Sequence, residues 1–323
     1  MAKFAPSALE SYIFSRTGAE TDDLLVGGGY AEDAAAIDPG DRPLVVSTDP
    51  ISFAADRIGT LGVAVASNDV AACGGTPEWL VSTIFVPSTD LDVLDDVTAQ
   101  LGAEAARLGI TIVGGHTETV PALPRPMLSL TCLGSTDRYV PTGGAAPGDV
   151  VVLTEGAGIE ATAILAADFR ESLLETGVEE ATLDRGETFF EAISVVPEAA
   201  VLAPVATSMH DPTEGGVLNG LVECACASDV RISLDATDIP VREPTRRLCA
   251  AAGVDPLRVF GSGALLATVP ADRAASALEA LEAEDIDATA LATVEPAAGE
   301  PGVVLDGERF TGGVEDDLYA LWE

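Results

Sequence analysis

Three aspartates are set where chemistry could use them. Gly27-Gly28-Gly29 runs into the acidic pair Glu32-Asp33, and the apolar run Leu44-Val45-Val46 ends in Ser47-Thr48-Asp49. Asn68-Asp69 falls in a helical pattern over about Asp56 to Cys73, whose stripe is Ile58, Leu61, Val65 and Ala72. Steps of three and four put Asn68 and Asp69 on or beside that stripe. An unpaired carboxylate buried there would cost several kcal/mol, so Asp69 calls for a cation, a donor network or a cleft. Capping of a neighbouring loop is the other reading. Glycine amides can approach a phosphate closely, and carboxylates nearby can hold the hard cation that accompanies it. The three segments together read as a nucleotide site, although glycine followed by Asp is also the composition of a surface turn.

Two further stretches fit the same chemistry. Ile110 to Val113 reads as a short buried strand delivering Gly114-Gly115-His116-Thr117-Glu118 to one edge. His116 is a candidate general base, because imidazole exchanges protons near neutral pH, with a hydrogen-bonded structural histidine as the alternative. Met209-His210-Asp211-Pro212-Thr213-Glu214-Gly215-Gly216 opens a helix whose free N–H groups, two glycines and Thr213 hydroxyl suit an anion. An N-cap turn explains it equally, and His210, just ahead of that turn, reads as structural. Gly156-Ala157-Gly158 has strand–helix packing as its competing explanation.

The elements that must position these groups follow from periodicity. Helices are predicted over Pro6–Ser15, Leu91–Leu108 and Ala271–Glu282, with helical patterns from Glu155 to about Val205. Strands are predicted at Trp79–Val86, Met127–Gly134, Asp149–Thr154, Ala264–Val269, Asp287–Thr293 and Val303–Leu305. Turn-rich Tyr139–Gly148 marks a join near residue 145, giving domains 1–145 and 146–323. The last residues, with Leu318, Leu321 and Trp322, form an amphipathic tail expected to pack down.

At 323 residues, 47% hydrophobic, the chain can bury a substantial core. Its net charge of −37, with Lys3 the only lysine, leaves no basic stripe for nucleic acid or anionic lipid. The charge is spread along the chain, which fits work in concentrated salt, where repulsion within an acidic coat is screened. A halophilic source is therefore expected. Five scattered cysteines argue against a disulfide framework, and Cys224 and Cys226 make a poor metal pair. With no leader-like N-terminus and no membrane-length apolar run, a cytoplasmic protein is expected.

Taken together, EDAAAI (Glu32–Ile37), STD (Ser47–Asp49), ASNDVAACGGTP (Ala66–Pro77), VGGHTETVP (Val113–Pro121) and MHDPTEGGV (Met209–Val217) resemble the aminoimidazole-ribonucleotide synthetase (PurM-like) superfamily. AAGVDPLRVFGSGALLATV (Ala251–Val269) is most similar to its hydrogenase-maturation carbamoyl dehydratase branch. The resemblance implies a two-domain α+β fold, with N-terminal strands pooled into a dimeric barrel and a C-terminal α/β domain, in a homodimer binding ATP and Mg²⁺. Carried over by position, Asp33, Asp49 and Asp69 become metal ligands, and Asn68, Gly114, Gly115, Thr117, Asp211 and Thr213 line the nucleotide; the residues themselves add Gly27, Gly28, Gly29, Gly215 and Gly216 as candidate phosphate-binding amides.

Departures bear on the reaction. Much of the superfamily has an acidic residue at His116, although selenophosphate synthetases also have His; Glu32 stands where Asp is usual, and Glu214 where the dehydratase has Arg. Leu321-Trp322-Glu323 replaces the dehydratase's terminal cysteine, nothing precedes Cys73 to serve as a synthetase-type cysteine, and Pro50-Ile51-Ser52 replaces the purine enzyme's lysine segment. The expected function is activation of a small-molecule oxygen by phosphoryl transfer. A non-catalytic nucleotide-binding scaffold and a thiamine-monophosphate kinase are the alternatives.

Overall fold

The computed structural model describes residues 6–17, 21–29 and 31–322. The first half holds the short helix α1 (Pro6–Leu9), continued by a wide helical turn over Glu10–Phe14, then β1 (Leu24–Val26), β2 (Ala35–Ile37), β3 (Leu44–Ile51), α2 (Ile58–Ala72), β4 (Thr76–Val86), α3 (Leu91–Leu108), β5 (Thr111–Thr119) and β6 (Met127–Ser135). The strands make one six-stranded sheet in the order β1-β2-β3-β6-β4-β5. Among the described residues that sheet is open, with β1 and β5 at its edges, and no closed barrel forms.

Helix α2 has no amphipathic stripe, because every residue from Ile58 to Ala72 is buried. The predicted stripe is only one of its buried faces. Two glycines let it lie so close: a Cβ on Gly62 would sit 2.7 Å from Leu130 Cδ1 of β6, and one on Gly59 2.7 Å from the Val97 carbonyl of α3. β6 alternates strictly, placing Leu128, Leu130 and Cys132 against α2.

Gly134 on β6 illustrates how tightly β6 and β4 pair. A methyl group there would fall 2.2 Å from the backbone oxygen of Thr76, which cannot yield without breaking the ladder. Gly134→Ala is expected to cost about 2–4 kcal/mol in urea unfolding, whereas Gly114→Ala, which meets nothing within 4 Å, should stay within about 0.5 kcal/mol of the parent.

β5 departs from expectation. Instead of a short buried strand it runs nine residues, Thr111–Thr119, exposed along its whole length. Among the described residues it pairs with β4 alone, in parallel, and lies at the edge of the sheet with its far edge and outer face uncovered. Trp79, Val81, Ile112 and Val113 leave that corner of the sheet apolar and exposed.

The second half contains β7 (Val150–Thr154), α4 (Ile159–Asp168), α5 (Arg170–Glu175), α6 (Glu180–Glu187), α7 (Val196–Leu202), β8 (Ser208–His210), α8 (Gly216–Ala227), β9 (Val230–Leu234), α9 (Glu243–Ala252), β10 (Leu266–Val269), α10 (Ala271–Ala283), β11 (Ala288–Pro296), β12 (Gly302–Leu305) and β13 (Glu308–Phe310). Its seven strands run β13-β12-β9-β11-β7-β10-β8. Every adjacent pair is antiparallel except β9 with β12, so this half is α+β in pattern rather than the α/β domain expected. Gly156 and Gly158 are packing glycines: their Cβ positions would meet the Pro240 carbonyl at 2.7 Å and Thr245 at 2.9 Å. The tail closes as a 3-10 turn, Asp317–Trp322, with the Trp322 ring 4.4 Å from Phe53 and 5.1 Å from Phe169. Among the described residues no helix is long and apolar enough to cross a membrane.

Candidate functional site

The two halves enclose a cleft of about 420 Å³. Asp33 reaches it from the loop before β2, Asp49 from the end of β3, Asp69 from α2, and Asp211 and Thr213 from the loop after β8. Three segments far apart in the first half and one in the second thus meet at a single wall. Glu32 lies beside them, its carboxylate accepting the Tyr139 hydroxyl at 2.9 Å, and burial raises its pKa.

The carboxylates are crowded, and two of them, Asp69 and Asp211, are buried. Asp69 accepts a short hydrogen bond from the Ser47 hydroxyl, which also lies 3.4 Å from Asp49 Oδ2. Burial, and then the negative charge of Asp49, Asp33 and Asp211, hold the Asp69 pKa well above the ordinary carboxylate range. Asp211 is 1% exposed, and among the described residues neither carboxylate oxygen has a well-aligned hydrogen-bond partner, although the Asn68 side chain lies beside it and acts to lower its pKa. Burial first, then Asp33, push its pKa up as well. A native carboxylate so placed needs a ligand to satisfy it.

The residues fit a hard divalent cation. The ligating atoms on offer are carboxylate oxygens of Asp33, Asp49, Asp69 and Asp211. Among the described residues no group of three or more His, Cys, Asp or Glu side chains is arranged to hold a metal by itself.

Other residues singled out from the sequence lie differently. Asn68 is engaged by backbone: its Nδ2 donates to the Ile193 carbonyl at 2.8 Å and its Oδ1 accepts from the Val195 amide at 2.8 Å. It joins α2 to the second half rather than lining the cleft. Gly27, Gly28 and Gly29, after β1, do not line it either; a Cβ on Gly28 would meet Phe14. The start of α8 already holds an anion, because Asp316 accepts the Gly215 amide at 2.8 Å and the Thr213 carbonyl takes that of Gly216 at 3.0 Å. The anion-binding reading of that helix start is corrected by a carboxylate about a hundred residues downstream.

Gly114, Gly115, His116 and Thr117 lie on β5, three strands from β3, roughly 14 Å across the sheet. Gly115 is required there by close pairing, since a Cβ would fall 2.0 Å from the Ser82 carbonyl. The His116 side chain is 69% exposed, with Glu118 3.9 Å away as its nearest acidic neighbour. Within one chain none of the four lines the acidic cleft.

The structure adds residues that the sequence reading gave no role at the site, although Phe260 and Ser262 lie in the Ala251–Val269 segment. Phe53, Phe260, Ser262 and Glu160 line the far side of the cleft. Phe53 and Phe260 stack at 5.6 Å and carry Tyr319 and Trp322 behind them. Glu160, in the first turn of α4, is pushed to about 8 by burial, with Glu214 and Asp316 adding to it. An apolar stretch broken by one Glu, GAGIEATAILAA, was the available signal. His210, read as structural, also borders the site: burial disfavours its charged form, but Asp33 and Glu223 outweigh that and raise its pKa well above the usual histidine value.

This architecture, two α+β halves closing on a carboxylate-lined cleft, defines the class. The chain belongs to the AIR synthase-related, PurM-like superfamily, on its HypE-like side. The family models "AIR synthase related protein, N-terminal domain" and "AIR synthase related protein, C-terminal domain" match residues 31–136 and 146–304. It is 33% identical to carbamoyl dehydratase HypE of Azotobacter vinelandii over 252 residues, 74% of this chain and 71% of that protein. It is also 30% identical to selenide, water dikinase of Citrifermentans bemidjiense over 335 residues, 94% and 95% of the two chains. Among solved structures, AaThiL complexed with AMPPCP and TMP superposes with a TM-score of 0.76 at 19% identity, covering 96% of each chain. The hydrogenase maturation protein HypE in complex with ATP gives 0.71 at 24%, covering 96% and 95%.

Proposed function

We propose that this protein is an ATP- and Mg²⁺-dependent enzyme that activates an oxygen of a small-molecule substrate by phosphoryl transfer. The observation that carries the reading is the gathering of Asp33, Asp49, Asp69 and the buried Asp211 on one cleft, where no cation among the described lining residues offsets them. In it, one or two of Asp33, Asp49, Asp69 and Asp211 would hold Mg²⁺ together with phosphate oxygens and water, and the metal would supply neutralisation of phosphate charge, which this lysine-poor chain has few cations to provide. The side chains orient the phosphates for in-line attack, while the Phe53–Phe260 wall keeps water from the acceptor side. HypE was solved with ATP and AaThiL with AMPPCP, which supports the nucleotide.

The working unit in this reading is a cytoplasmic homodimer adapted to high salt. The uncovered outer face of β4 and β5 pairs with a second copy, closing the barrel and carrying Gly114, Gly115, His116 and Thr117 towards the partner's cleft. A non-catalytic nucleotide-binding dimer is the second reading, favoured by Asp316 holding the α8 start where an anion would otherwise sit. Thiamine-monophosphate kinase remains the alternative acceptor assignment within the catalytic reading.

Calorimetric titration with ATP in molar KCl, with and without Mg²⁺, tests the reading, with ADP measured and the sedimentation coefficient taken on the same sample. Metal-dependent binding with ADP release by a dimer is expected, and thiamine monophosphate should accelerate release only if the kinase assignment holds. Binding without release favours the scaffold, and no binding in either condition removes the nucleotide site.

A further inference from the structure

A buried line of three side chains runs from the second sheet into the cleft. His210, the last residue of β8, has Nδ1 2.7 Å from Asp33 Oδ1 and Nε2 3.0 Å from Glu223 Oε2, and the three side chains are 6%, 8% and 14% exposed. Glu223 comes from the middle of α8 and Asp33 from the first half of the chain. The other Asp33 oxygen, Oδ2, lies 3.4 Å from the Asp211 amide. A histidine that only fills space needs at most one partner. Here the Glu223 hydrogen bond on Nε2 fixes the ring from behind, and Nδ1 faces Asp33 Oδ1 at ion-pair distance without a well-aligned hydrogen bond of its own.

We propose that His210 is a positioning residue for the metal–nucleotide site: it holds Oδ1 of Asp33, so that Asp33 presents a single oxygen to the cleft, and Glu223 fixes the imidazole that does so. This rests on the nucleotide reading above and deepens it. Metal-site carboxylates are commonly oriented by such outer partners, and losing one weakens metal affinity about 10–100-fold. Without the imidazole, Asp33 would be free to rotate among Asp69, Asp211 and Glu32, where like charges set no single geometry. The line also crosses between the halves, so it ties closure of the cleft to the carboxylate it orients.

The test uses the full-length protein and AMPPCP, titrated calorimetrically against Mg²⁺ in molar KCl, with melting temperatures alongside. Asn places its amide nitrogen near the Nδ1 position, and Gln places its own near Nε2. His210→Gln, which loses the donor to Asp33, is expected to raise the half-saturating Mg²⁺ concentration about 10–100-fold, while His210→Asn, which keeps it, stays within about 3-fold of the parent. Glu223→Gln should fall between them. A purely structural histidine would instead make Asn and Gln equally damaging, in step with melting temperature, and that result overturns the proposal. If His210→Gln does not fold, Glu223→Gln decides: an unchanged Mg²⁺ requirement counts against the role. A parent protein whose AMPPCP binding ignores Mg²⁺ removes the nucleotide reading itself, whereas metal-dependent binding indifferent to all three variants removes only the positioning role.

Discussion

Asp69→Asn is expected to lower Mg²⁺-dependent ADP release by about 10²–10³-fold while leaving nucleotide binding measurable. The side chain lies at the centre of the acidic wall, with the Ser47 hydroxyl on one oxygen and Asp49 next to it. An amide of the same shape keeps the Ser47 hydrogen bond but removes the charge that would hold the metal. The same substitution should make the metal-free protein more stable by about 1–2 kcal/mol, because Asp69 is buried among like charges and its ionisation is penalised in the fold. Loss of turnover together with a gain in metal-free stability is a signature that simple damage to the core cannot give. Turnover at the parent rate would exclude Asp69 from the metal site, and equal loss of nucleotide binding and turnover would assign it to binding alone.

The second large effect concerns pH. Glu160 is pushed up to about 8 by burial, and Glu198 and Asp316, also chiefly by burial, to about 7; Asp69 and Asp211 shift in the same direction. A carboxyl whose pKa is higher folded than unfolded binds more protons in the native state between the two values. Its stabilisation is complete below the unfolded value and disappears as pH rises to the folded one. His210, also raised, acts with the same sign: its contribution is present below the ordinary histidine value and lost as pH rises through the folded one. Stability without metal should therefore fall steadily from about pH 5 to about pH 8.5, by at least about 3 kcal/mol. Mg²⁺ with AMPPCP should flatten the slope, since a cation binding ionised carboxylates replaces the protons that otherwise satisfy them. Urea unfolding across this range at fixed molar KCl is the measurement. A stability that rises with pH would mean these acids are ionised comfortably and the cleft is wetter than its burial implies.

These acids also show how far the sequence could be read. Asp33, Asp49 and Asp69 were legible as a set because each stands beside a glycine run, a strand end or an apolar stretch, and Asp211 because it opens a helix. Family resemblance supplied their common purpose. Glu160 was not legible, since an acidic residue in the first turn of a helix is ordinary where helix starts favour negative charge. Only the packing of α4 against the Phe260–Ser262 segment buries it. Asp316 escaped for a related reason: its partner, the Gly215 amide, lies 101 residues away, and no local pattern reports a cap supplied from that distance.

Sequence by itself determined the elements, the division into two strand-bearing halves and the aspartates that share a cleft, because periodicity, turn chemistry and carboxylate desolvation act through neighbours along the chain or through residue type. Tertiary structure alone decided which groups reach the cleft. It turned the stripe of α2 into a helix buried all round, aligned the second sheet antiparallel and engaged Asn68 with backbone. It also carried the Gly114–Thr117 segment to an exposed edge and converted His210 from the residue before a turn into the link between Glu223 and Asp33. The physical reason is common to all of these: each depends on which surfaces and hydrogen-bond partners come from segments distant in the chain, and local sequence does not encode such partners one at a time.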